Sequence, residues 1–239
     1  MALVMSVVPE DLEPIERYLL MLLYSSDSSE KFAQPLRGKT WLQKEMFLLS
    51  KVIPELESET EYDPHLMGSY SEIVDEVAYQ FEVSGYTERV GDSIKLSLDG
   101  KKLAEQTWIS ASDQEKTFVT DVKTLLNDLS QWELFGLIYF EFPETAVNSE
   151  KLSEVEARRE SIAIGLLSKG KVSVEKAAEM AKKPLPSFLP LLKAKKIKML
   201  EIESKGIMQD RSLVEEIRAS RKDSRNRRLV PWETIKNNL

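Results

Sequence analysis

Apolar residues recur at helical spacing along most of this chain, and the period switches to two only once, between Tyr86 and Leu98. Ile15, Leu19, Leu22 and Leu23 follow Asp11 and Pro14, a cap and first-turn pair, and the pattern ends in the polar run 25–30. Thr40 then caps a second helix carrying Leu42, Met46, Phe47, Leu49 and Val52, which Pro54 ends. After the acidic loop ELESETEYDP, Ser69 or Ser71 opens a third helix. It turns Ile73, Val74, Val77, Ala78 and Phe81 inward and has Gly85 just past its end. Tyr86, Glu88 and Val90, then Ile94, Leu96 and Leu98, alternate around Gly91-Asp92 and spell a hairpin.

Three helices followed by a two-stranded hairpin is the order of a winged-helix domain. The pattern beyond it predicts a helix from Asp99, helices around 113–126 and 131–140, and a long amphipathic helix from about 149 to 168. The fold class expected is therefore mainly α with a small β-hairpin: a winged-helix-like N-terminal domain over 1–147 with extra helices, and a linker helix, helix-turn-helix and basic tail over 148–239.

What the chain lacks narrows its chemistry. It has no cysteine, which removes disulfides, thiolate zinc sites, iron–sulfur clusters and cysteine nucleophiles. Its one histidine, His65, lies beside Pro64 as a loop residue does, and neither of the glycine-rich phosphate-binding patterns occurs. Glu133, Glu141 and Glu144 stand beside aromatic residues, as outer-face acids on a packed helix do. These readings predict no enzyme, no metal and no cofactor. The N-terminal stretch turns acidic within ten residues, and no window approaches the ~20 apolar residues of a membrane span, so the expected setting is cytoplasmic, without a membrane.

Charge divides the chain unevenly. Residues 1–164 hold 15 basic and 31 acidic residues, net −16, whereas 165–200 hold nine lysines and two acids, net +7. The predicted third helix places Glu72, Asp75, Glu76, Gln80 and Glu82 among its polar positions and contains no lysine or arginine, which repels phosphate and suits a basic protein partner. Within 161–199, Gly170 follows one helix, Ser173 caps the next, and a Lys182-Lys183-Pro184 turn leads into a third, a helix-turn-helix arrangement. There Ser187 is the one base-reading candidate, while Lys182, Lys183, Lys193, Lys195, Lys196 and Lys198 are phosphate candidates. The tail adds Arg221, Lys222, Arg225, Arg227 and Arg228, followed by Trp232 as an apolar anchor for a partner.

Through LQKEMFLLS, YDPHLMGSYSEIVDEVAYQFEVSGY and SLDGKKLAE, about residues 11–110 resemble the Panacea (SocA-like, antitoxin-associated) family. Met67-Gly68-Ser69-Tyr70-Ser71 departs from it where family members place a proline after the glycine. Residues 161–199 resemble a short family of antitoxin-like helix-turn-helix proteins through Gly170, Lys171, Ser173, Lys176, Ala177, Ala178, Glu179, Ala181, Phe188 and Ile197. The resemblances imply an antitoxin-like or transcription-associated regulator. Together with the charge pattern, the expectation is a chain that holds a protein partner through Glu72, Asp75, Glu76 and Trp232 and nucleic acid, DNA in the first instance, through its basic part. The alternative is a protein–protein adaptor with no nucleic-acid contact.

Overall fold

The computed structural model describes residues 8–194. The chain begins with α1 (Pro14–Tyr24), α2 (Lys39–Ser50) and α3 (Pro54–Thr60), followed by an antiparallel hairpin of β1 (Asp63–His65) and β2 (Gly68–Tyr70). Next come α4 (Glu72–Val83) and a second antiparallel hairpin of β3 (Thr87–Val90) and β4 (Ser93–Leu96). The helices α5 (Leu98–Ser110), α6 (Asp113–Leu126), α7 (Gln131–Glu141), α8 (Leu152–Ala157), α9 (Arg159–Ser168), α10 (Val174–Met180) and α11 (Leu185–Ala194) complete a mainly helical chain.

Local chemistry accounts for most of the boundaries. Ser71, Ser97, Ser112, Ser130 and Ser173 each cap a helix with the side-chain oxygen, and Glu115 and Glu133 close capping boxes back onto Ser112 and Ser130. Gly85 takes the left-handed conformation expected after α4, at φ +78°. Four expectations change. Asp11 lies in a 3-10 turn, and Glu13 caps α1 instead, with Pro14 at the first helical position. The cap of α2 is Gly38 rather than Thr40. Its φ of +123° and a Cβ position only 2.6 Å from the Asp92 carbonyl oxygen demand glycine where the β3–β4 turn passes. Pro54 opens a helix as well as following one, because its fixed φ suits a first turn, so much of the expected acidic loop is α3 with Leu56 buried in the core. The single helix expected over 149–168 breaks at Arg158. There tertiary contacts prevail: Arg158 stacks on Trp132, while Arg159 stacks on Phe140 and donates to the Met180 carbonyl.

Helix α2 is the axis of the packing, with every residue from Trp41 to Ser50 buried. One apolar cluster runs from Ile15 to Leu192, so core contacts continue across the boundary expected near residue 147. Gly136 of α7 lets α9 approach until Ile162 would meet a Cβ at 2.4 Å. Between α1 and α2, Leu36 pairs with Ile94 of β4 through two backbone hydrogen bonds of 2.9 and 3.0 Å, setting a third short extended element beside the second hairpin.

Candidate functional site

The start of α4 is fixed from beneath by α2. The Gln43 amide donates to the Ser71 carbonyl at 2.9 Å and accepts from the Ser71 N–H at 3.0 Å, leaving the Ser71 hydroxyl to cap Val74 N at 3.1 Å. One residue on, the Lys44 ammonium donates to the Ser69 carbonyl at 2.6 Å, and burial pushes its pKa down to about 7. Tyr139 closes the other side: its ring packs where a Cβ on Gly68 would stand, and its hydroxyl hydrogen-bonds Ser149 at 2.8 Å. His65 falls in β1 rather than in a loop, exposed and 5.0 Å from the Tyr70 ring.

Helix α4 then divides into two faces. Val74 and Phe81 are buried, and Ile73, Val77 and Ala78 pack beside them. The outer face presents Glu72, Glu76, Tyr79 and Val83, residues spaced four, three and four apart and so stacked along one side of the helix. Tyr79 is 56% exposed and Val83 64%. Among the described residues no ion pair involves Glu72 or Glu76, and Glu76 only accepts from Gln80 of the same helix. Asp75 has a different place from its expected neighbours. It is held by Lys39 at 2.7 Å and by the Tyr70 hydroxyl at 3.0 Å, which ties α4 to α2. Glu82 likewise pairs with Arg89 of β3 at 2.7 Å. The expected trio of carboxylates therefore contributes two to the outer face. Sequence reasoning missed Tyr79 and Val83, although counting on from Glu72 and Glu76 at helical spacing reaches both.

Among the described residues, five lysines of the basic segment face acids of the same chain. Lys169 pairs with Glu133 at 2.8 Å, Lys171 with Asp128 at 3.0 Å, and Lys176 with Glu141 of α7 and Glu179. Lys182 lies 3.6 Å from Glu156 and Lys183 3.4 Å from Glu160. The exposed positions of α11 are Pro186, Ser187, Pro190, Lys193 and Ala194, so one hydroxyl and one ammonium are the polar side chains it offers outward. Lys195, Lys196, Lys198, Arg221, Lys222, Arg225, Arg227, Arg228 and Trp232 lie outside the described residues.

Charges also occur in the interior. Glu45 is fully buried, its carboxylate oxygens have no hydrogen-bond partner, and burial pushes its pKa well above the usual range. Lys123 donates to the carbonyls of Leu23 and Ser25, and burial lowers its pKa to about 8 against the opposing pull of Glu45. Of the three acids beside the α7 aromatics, Glu133 and Glu141 serve Lys169 and Lys176, not a shared site. Among the described residues no group of three or more His, Asp or Glu could hold a metal ion, and no helix is long and apolar enough to cross a membrane.

Compared with protein-family models, with curated proteins and with solved structures, the chain matches none.

Proposed function

We propose that this chain is a non-catalytic regulatory adaptor that binds a basic protein segment on the outer face of α4. In this reading α1, α2 and α4 with β3–β4 form a winged-helix variant, into which α3 and β1–β2 are inserted. The Leu36–Ile94 pairing supports it, because an extended residue between the first two helices joined to the second wing strand completes the small sheet of such a domain. The observation that carries the function is the composition of the outer α4 face. Where a DNA-reading winged helix presents cations and amides to a groove, this one presents Glu72 and Glu76 beside exposed Tyr79 and Val83. Carboxylates beside an exposed aromatic ring repel a phosphate backbone and complement lysine, arginine and apolar side chains together. The resemblance to antitoxin-associated proteins fits a role of this kind.

Nucleic-acid contact through the C-terminal part is a second reading, favoured by Lys182, whose side chain is 68% exposed despite its contact with Glu156. A photo-cross-linking residue in place of Tyr79 separates the two. In nuclease-treated extract the adaptor reading expects one defined polypeptide to be captured, and capture to be lost in the double reversal Glu72→Lys/Glu76→Lys. Capture that needs nucleic acid, or that ignores the reversal, overturns it.

A further inference from the structure

Resting on the reading of α4 as a docking face, we infer that the chain's own segment 217–232 is the occupant of that face when no partner is bound, so that the protein is held in an autoinhibited state. The match is one of order as well as charge. Along α4 the outer face is acidic first, at Glu72 and Glu76, and apolar second, at Tyr79 and Val83. Along the segment the sequence is basic first, with Arg221, Lys222, Arg225, Arg227 and Arg228, and apolar second, with Leu229, Val230 and Trp232. Glu76 and Val83 are seven helical residues apart, roughly 10 Å along the axis, and the four residues from Arg228 to Trp232 span up to about 13 Å when extended. A segment running parallel to α4 therefore sets its arginines on the carboxylates while Trp232 covers Tyr79 and Val83.

Two further observations favour this occupant. The lysines of 165–194 are mostly engaged by acids of their own body, as Lys169, Lys171 and Lys176 show, whereas Glu72 and Glu76 are left without an ion pair among the described residues. The tail also concentrates positive charge, with five cations against Asp223 alone between Arg221 and Arg228, and it is directly followed by apolar residues. Reach is not limiting: the described chain ends at exposed Ala194, and the roughly 24 residues from there to Arg218 extend to about 80 Å, more than the width of a body of this size. A covalent tether that can span its sites supplies a local concentration on the order of a millimolar, so even a weak contact in cis is populated ahead of a second copy.

The test uses the full chain with the photo-cross-linking residue at position 79, purified and irradiated alone at low concentration. The expected product is an intrachain link from position 79 to a peptide within 217–232, migrating as a monomer. It falls about ten-fold in Glu72→Lys/Glu76→Lys, and also between about 0.05 and 0.5 M salt. Trp232→Ala moves or removes the link without altering the charge. Glu72→Gln/Glu76→Gln, with far-ultraviolet circular dichroism and thermal unfolding, guards against a folding defect in the double reversal. A link that is absent, that appears only in a dimer band, or that resists both salt and charge reversal overturns the inference. The two readings fail separately. If partner capture persists without an intrachain link, only the tail assignment falls; if both vanish, the docking face itself is wrong.

Discussion

Lys44 shows how a single side chain turns a sequence motif into geometry. It stands in α2 with its four-carbon stem buried in the core, and its ammonium reaches the Ser69 carbonyl at 2.6 Å, next to the Gln43–Ser71 pair that sets the first turn of α4. Buried, Lys44 releases its proton near pH 7 in the folded chain, whereas the unfolded chain keeps it to about pH 10.5. Between those values the unfolded state binds more protons, so this residue makes stability rise with pH. Comparing urea unfolding of wild type and Lys44→Met at about pH 7 and pH 9.5, the difference in unfolding free energy should shift in favour of wild type at the higher pH. A constant difference would mean that Lys44 stays charged in the folded protein. Glu115 has the opposite sign. Burial pushes its carboxyl up, but the Ser112 hydroxyl and amide and the Arg17 guanidinium outweigh that and hold it down to about 2. Its contribution is present above the ordinary glutamate pKa of about 4.5 and is lost as the pH falls toward 2. Glu115→Gln should therefore flatten acid unfolding in that window, as thermal melts from pH 5 to about pH 2 would show. Neither role was legible from residue type. Helical periodicity assigns Gln43, Lys44 and Glu45 to a polar face, and only the enclosure of α2 on every side makes that face interior.

At the scale of elements, much was legible where a local rule decides the outcome. Serine caps, Gly85 and the Gly91-Asp92 bend set α4, α5, α6, α7, α10 and the β3–β4 hairpin close to their expected places. Two of the misses share a cause. The break at Arg158 and the cap at Gly38 each depend on a neighbour distant in sequence, and a local window does not contain it, whereas Pro54 obeys a local rule of its own, opening a helix as readily as ending one. Gly100 is a third position of the distant kind, in the first turn of α5, where a Cβ would lie 1.8 Å from the Tyr86 carbonyl oxygen. The obstacle is backbone, not a flexible side-chain end. Gly100→Ala should cost about 1–3 kcal/mol or more by forcing α5 away from the hairpin exit. A denaturant midpoint unchanged from wild type would show that the first turn of α5 yields freely. The candidate site follows the same division: Glu72 and Glu76 were readable as exposed acids, whereas the diversion of Asp75 to Lys39 required the fold of α2 beside α4.

Across the whole molecule, the charge asymmetry reads differently once folded. Residues 1–164 carry −16 and 165–200 carry +7, and part of that opposition is satisfied where Lys169, Lys171 and Lys176 meet Glu133, Asp128 and Glu141. The same surface buries apolar residues, with Ile162 against Gly136 and with Leu166, Leu167, Val172 and Phe188 in the common cluster. A division into two independently stable domains near residue 147 therefore makes a testable claim against a single cooperative body. Ending the chain at residue 147 removes α8 to α11. It uncovers the side of α7 bearing Gly136 and leaves Glu133, Asp128 and Glu141 without Lys169, Lys171 and Lys176. Lost burial on this scale weakens the core that α7 shares with α2 and α6, and uncompensated negative charge adds self-repulsion. The expected result is that residues 1–147 alone unfold in a broad, low-temperature transition and bind a hydrophobic dye, whereas a chain ending at residue 194 keeps one sharp transition. Salt should partly restore the shorter chain by screening its acids, but not its cooperativity, because apolar contacts are insensitive to screening. A sharp transition for residues 1–147 matching one of two resolved steps in the full chain would establish the two-domain division instead. In that event the lysine pairs are a docking contact between domains rather than part of one fold.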